Sequence, residues 1–163
     1  AAARRVIRGK IGFDAPYLEQ LFTFSGAARD PRGWSVSVVY YALIPWSSLE
    51  QSPSAEAFPV DGLPPLPFDH RQIVAKAVER LRGKATYSSL PAFLLPAEFT
   101  MNDLHQIYEQ TIGARLDKAS FRHKILVQDI IEPIPKHFRV GAHRPAQLYR
   151  LSSKALTPFE RKI

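Results

Sequence analysis

Apolar residues recur along this chain with two periods. Over residues 34–44 every second position is apolar, so Trp34, Val36, Val38, Tyr40, Ala42 and Ile44 share one face of a predicted strand. The other face runs from Ser35 and Ser37 to Val39, Tyr41 and Leu43, so the far end is expected to be buried on both faces. Residues 17–24 predict a second strand. Residues 25–33 read as a long loop with turn chemistry in Asp30-Pro31-Arg32-Gly33. Residues 1–11 predict a helix stopped by Gly12, weakened by about 1 kcal/mol at Gly9 relative to alanine. Six prolines between residues 45 and 67 exclude a long helix there, and residues 58–60 allow one short strand. Ile73, Val74, Ala77, Val78 and Leu81 then fall on one face of a helix. Asp69 is its expected cap, Gln72 completes a capping box, and Gly83 stops it.

Residues 86–95 suggest a short helix or turn. Thr100 begins another helix, with Asp103 three residues on. Its apolar stripe is Leu104, Ile107, Tyr108 and Ile112, and Gly113 ends it. Asp117 caps a further helix reaching about residue 127. Strands over 130–135 and 147–151 follow, separated by a basic, turn-rich loop with Lys136, His137, Arg139, His143 and Arg144. The tail that Pro158 follows is expected to fray. Two helices joined by a short glycine-containing turn, then two strands around a basic loop, outline a winged helix.

In the second of those helices Phe121, Ile125 and Leu126 point to the core at about 100° per residue, and Ala119, Ser120, His123, Lys124 and Val127 lie opposite. Lys118 and Arg122 fall nearer the core side and would reach phosphate along their stems. The candidate DNA-contacting residues are therefore Lys118, Ser120, Arg122, His123, Lys124, His143 and Arg144. The same outline also serves winged helices used only for protein contacts.

Charge favours the nucleic-acid reading. The chain has 163 residues and a formal net charge of +7. Residues 1–68 hold six basic and six acidic side chains, so the whole excess lies in the remainder. Residues 115–150 alone carry eight basic and three acidic ones, which suits a polyanion. The absence of cysteine excludes disulfides, thiol catalysis and thiolate zinc sites. The five histidines form no ligand-spaced pair with a carboxylate, so neither a metal site nor a catalytic residue is assigned, and no cofactor is expected. The longest apolar run, residues 36–46, is shorter than the roughly 20 residues a membrane helix takes. The first residues show no apolar core with a small-residue cleavage site, so the expected location is the cytoplasm and no membrane partner is expected.

Five pieces occur together in order: RDPRGW at 29–34, FDH at 68–70, YE-x-x-x-G at 108–113, SFRHK at 120–124 and RPAQLYR at 144–150. In this combination the chain resembles the Nudix-related transcriptional regulators of NAD metabolism. The resemblance implies an α+β chain, with a partial Nudix-like α/β/α sandwich over residues 1–84 and a winged helix-turn-helix over 85–163. It also implies a repressor that binds a palindromic double-stranded operator as a homodimer and senses ADP-ribose or a related nucleotide. Arg29, Asp30 and Arg32 are the candidate ligand contacts, with hairpin-turn residues as the alternative. The helix of the Nudix box carries three glutamates, and here Val6, Gly9 and Lys10 stand in their places, so no hydrolase is expected. The alternative is a hydrolase of ADP-ribose or a related nucleotide diphosphate. The likeness begins inside that box, so an incomplete Nudix core is expected. His123 stands where a second arginine is usual.

Overall fold

The structure, a computed structural model, describes residues 2–50, 55–140 and 144–163. It divides into two compact units, residues 1–44 with 48–80 and residues 45–47 with 81–163.

In the first unit helix α1 (Ala2–Ile11) ends at Gly12, whose φ of +85° suits glycine. Strands β1 (Tyr17–Asp30) and β2 (Gly33–Leu43) form an antiparallel hairpin turned by Pro31 and Arg32. The expected loop over 25–33 is therefore mostly strand. Small and polar residues hide this stretch from a hydrophobic pattern, but Ser25, Gly26 and Asp30 pair with Val36, Ser35 and Gly33 of β2. The register is irregular between Gly26 and Asp30, where Gly26 takes a φ of +152°. A second irregularity between Gln20 and Phe22 accommodates Leu21, which is buried.

Burial along β2 departs from expectation on the face that starts at Trp34, while Leu43 at the far end is buried as expected. Trp34, Val36, Val38 and Tyr40 are 69%, 54%, 53% and 44% exposed, while Leu43 on the other face is buried. The covered face is decided by polar anchors to helix α3 (His70–Ala85). The Arg80 guanidinium reaches Glu19 Oε1 at 3.4 Å and the Leu21 carbonyl at 3.3 Å. Arg29 reaches Asp69 from the same face. The Asp69 carboxylate, expected to cap α3, is taken by that arginine. Helix α2 (Trp46–Leu49) and a 3₁₀ turn at Val60–Gly62 replace the expected loop and short strand.

The second unit contains a 3₁₀ turn (Leu90–Leu94) and β3 (Phe99–Thr100). Helices α4 (Met101–Ile112) and α5 (Lys118–Val127) follow, then β4 (Ile131–Arg139) and β5 (Ala146–Leu151). The sheet order is β3-β5-β4, with each neighbouring pair antiparallel. Phe99, Leu104, Tyr108, Phe121, Ile125 and Tyr149 belong to its buried cluster. The β4 strand extends through Lys136, His137 and Arg139, which the sequence pattern assigns to the loop. Its register slips between Pro133 and Phe138, where two prolines lack N–H donors. The Gln147 side-chain amide donates to the Ile134 and His137 carbonyls at 2.8 and 3.0 Å, satisfying backbone the ladder leaves unpaired. The end of the chain is docked rather than frayed. Phe159 is buried, and its N–H donates to the Tyr87 carbonyl at 2.7 Å.

Candidate nucleic-acid interface

Local sequence sets both helices of the helix-turn-helix. Thr100 Oγ1 accepts from the Asp103 N–H at 3.1 Å, and the Thr100 N–H donates to Asp103 at 2.8 Å, a reciprocal capping box. Gly113 closes α4 at a φ of +79°. Asp117 caps α5 by accepting from the Ser120 N–H at 2.8 Å. The buried side of α5 is Phe121 and Ile125. Leu126, expected in the core, is 46% exposed, because it lies at the edge of that narrow buried stripe.

The candidate contacts that the structure describes divide into three groups. Lys118 and Arg122 are exposed and, with Arg144 at the start of the β5 arm, line one open cleft of about 590 Å³. Thr100 and His105 of the first helix region and Phe138 of β4 also line it. Ser120 and His123 are exposed on α5 but stand outside that lining. Lys124 is half-buried, and its ammonium donates to the Lys162 carbonyl at 3.2 Å, which draws it toward the C-terminal segment. His143 lies outside the described residues. Phe138 escaped sequence reasoning; the only signal for it is an aromatic residue just before the basic loop. A cleft with fixed positive charges along its rim and an aromatic wall suits a sugar–phosphate backbone, which needs charge and hydrogen-bond donors rather than a tight cavity.

The three candidate ligand residues do not meet at one open site. Arg29 faces Asp69, with Nε to Oδ2 at 2.5 Å and Nη2 to Oδ1 at 3.2 Å, and donates from Nη1 to the Phe24 carbonyl at 2.9 Å. This forked pair is largely buried and holds the Asp69 carboxyl below its ordinary pKa. Asp30 and Arg32 pair with each other at the hairpin tip, Nη2 to Oδ2 at 2.6 Å. That bond holds the Asp30 pKa down at about 2. Val6, Gly9 and Lys10 are exposed on α1. Among the described residues no group of three or more His, Cys, Asp or Glu could hold a metal ion. No helix among them is long and apolar enough to cross a membrane.

Residues 91–151 match the model of the NrtR DNA-binding winged helix domain. The chain is 37% identical over 162 residues to an ADPR responsive transcriptional repressor, NtrR, of Acinetobacter baylyi; it spans 93% of this chain and 63% of that relative's length. Two crystal structures of Shewanella oneidensis NrtR are also similar, one free and one complexed with a 27mer DNA. They share 33% identity with this chain and cover 98% of it and 76% of their own chain, with TM-scores of 0.88 and 0.87. A MutT/nudix family protein from Enterococcus faecalis superposes with a TM-score of 0.70 over 93% of this chain and 69% of its own. At 21% identity that likeness concerns the fold alone.

Proposed function

The chain belongs to the NrtR family, and from that premise we propose that it is a DNA-binding transcriptional repressor whose Nudix-like part senses ADP-ribose or a related nucleotide. The observation that carries this is the joint lining of one open cleft by Lys118, Arg122 and Arg144 inside the winged-helix segment. DNA complexation and ADP-ribose responsiveness are named for separate relatives, and both are extended here to this chain. A palindromic operator needs two recognition helices about 34 Å apart, so the acting species is a homodimer. The site of action is the cytoplasm, where the DNA is. Residues 1–84 act as the sensor and 85–163 as the reader. Val6, Gly9 and Lys10 in place of the Nudix-box glutamates favour sensing over hydrolysis, because none of them can hold a divalent metal.

The test is fluorescence anisotropy with one duplex from the promoter beside the gene and one scrambled duplex, across several salt concentrations. Preference for the promoter duplex, weakened by ADP-ribose, is expected. If Lys118 and Arg144 each neutralise one phosphate, alanine at either reduces the log–log salt slope by about 0.9. Equal affinity for both duplexes at every salt concentration overturns the reading. Release of AMP from ADP-ribose with Mg²⁺ would restore the hydrolase alternative.

A further inference from the structure

One pair of side chains in the winged helix adds no fixed positive charge to the cleft, although His105 lines it, and holds the segment from which α5 starts. The Leu116 N–H donates to Glu109 Oε1 at 2.8 Å. The Leu116 carbonyl lies 2.9 Å from His105 Nε2. A carbonyl only accepts, so Nε2 carries a proton. Both polar groups of one residue's backbone are thus held by side chains four positions apart on α4. Leu116 directly precedes Asp117, the cap of α5, and belongs with Phe121 to the same apolar cluster. Those two occupy the positions of a hydrophobic staple, which fixes the angle at which a chain enters a helix. The His105 ring also meets the Phe121 ring edge-on, centroids 5.1 Å apart.

Packing alone does not account for the histidine. Its side chain is 6% exposed, and Nδ1 is buried without a hydrogen bond, 3.7 Å from Glu109 Oε2. A buried nitrogen without a hydrogen bond costs free energy that an apolar side chain of similar size would avoid. What histidine adds is the hold on the Leu116 carbonyl. The Leu116 N–H bond is the first cause holding the Glu109 carboxyl below its usual pKa; His105, Arg115 and Lys118 add to it against the opposing effect of burial. The carboxylate is therefore ionised when it accepts. The precision matters because α5 buries only Phe121 and Ile125. A ten-residue helix is about 15 Å long, so a tilt of about 10° at its start moves its far end by about 2–3 Å, enough to break a base contact.

We propose that His105 and Glu109 are positioning residues that set the approach of α5 to DNA by holding both polar groups of the Leu116 backbone. The inference rests on the DNA-binding reading above. It is tested in the full chain with Glu109→Ala, Glu109→Gln and His105→Leu, the last filling the ring's space without its donor. Affinity for the promoter and scrambled duplexes, thermal midpoints, and hydrogen exchange of the Leu116 amide are measured together. Glu109→Ala and His105→Leu are expected to weaken promoter binding about tenfold, comparable to losing one good base contact, with a smaller change on the scrambled duplex. Midpoints move by only a few degrees, the Leu116 amide exchanges faster in Glu109→Ala, and Glu109→Gln, which keeps an acceptor oxygen, restores most of the affinity. Wild-type affinity in both disruptive variants overturns the inference alone. So does equal weakening on the two duplexes, or failure of Glu109→Gln to rescue. If the wild type itself prefers neither duplex, the DNA reading fails and this inference falls with it.

Discussion

The hairpin unit and the winged-helix unit use similar side chains to opposite effect. In the second, Phe99, Leu104, Tyr108, Phe121 and Ile125 are each at most 2% exposed. In the first, the buried apolar residues among those described are only Ala15, Leu21 and Leu43, while Trp34, Val36, Val38 and Tyr40 face outward. Geometry explains the contrast. A two-stranded ribbon has two faces, and a single helix can cover one of them. Two helices against a small sheet enclose their apolar stripes from several sides. Alternation therefore tells which residues share a face, not whether that face is covered. Where burial is thin, polar anchors hold the elements instead, and Glu19 illustrates this. Tyr17 and Tyr41 both donate to its Oε2, Tyr41 at 2.7 Å, and Arg80 reaches Oε1.

The sharpest way to break this contrast is to truncate one aromatic residue in each unit. Phe121→Ala removes a ring that is 2% exposed and touches both His105 and Tyr108, so a loss of about 3–5 kcal/mol is expected. Trp34→Ala, although larger on paper, should change stability by about 0.5 kcal/mol or less, because the indole is already in water. Urea unfolding of the full chain measures both. A Trp34→Ala loss comparable to that of Phe121→Ala would mean that the outward face is covered in solution.

A smaller difference separates two tyrosine hydroxyls. Tyr108 is fully buried, and its Oη donates to the Ser88 carbonyl at 2.8 Å. Tyr108→Phe strands that carbonyl and should cost about 1–3 kcal/mol. Tyr41→Phe leaves Glu19 with Tyr17 and Arg80, so the expected cost is about 0.5–1.5 kcal/mol. A larger loss in Tyr41→Phe than in Tyr108→Phe in paired denaturant curves would show that anchors in the hairpin unit act singly and not as a network.

The same contrast governs what could be read in advance. Both helices of the helix-turn-helix were legible because their caps are local: Thr100 with Asp103, Gly113, and Asp117. The burial of Leu104, Tyr108, Phe121 and Ile125 followed from the helical period. The two-residue β3 was invisible, since no window of pattern is that short and its partner Tyr149 lies far along the chain. Phe138 entered the cleft through a register slip among prolines, which periodicity does not encode. Arg29 was visible as a charge, but its partner Asp69 is forty residues away, so its structural use was not. The cleft itself was half legible. The charges of Lys118, Arg122 and Arg144 were evident, whereas the withdrawal of Lys124 toward Lys162 depends on how the C-terminal segment docks.

The smallest expected effect lies at the hairpin tip and bears on the sensor reading. Asp30 accepts from the Arg32 N–H and side chain, and these bonds hold its pKa at about 2. A depressed folded value means that the pairing contributes above the ordinary carboxylate pKa, about 3.9, and is lost as pH falls toward the folded value. The Arg32 side chain is 84% exposed, so water screens the pair, and Arg32→Ala should leave the thermal midpoint at neutral pH unchanged within error. The titration, by contrast, should move clearly. Carbon chemical shifts of the Asp30 carboxyl should report a midpoint raised toward the ordinary value in Arg32→Ala. An unmoved midpoint would mean that the pair does not form in solution. The same signal then separates the two roles of Arg32. A phosphate taken up by its guanidinium must draw it from Asp30, so on the sensor reading saturating ADP-ribose raises the Asp30 midpoint in the wild type and does nothing in Arg32→Ala. A midpoint indifferent to ADP-ribose in both proteins leaves Arg32 as a turn residue and moves the search for the effector site away from the hairpin tip.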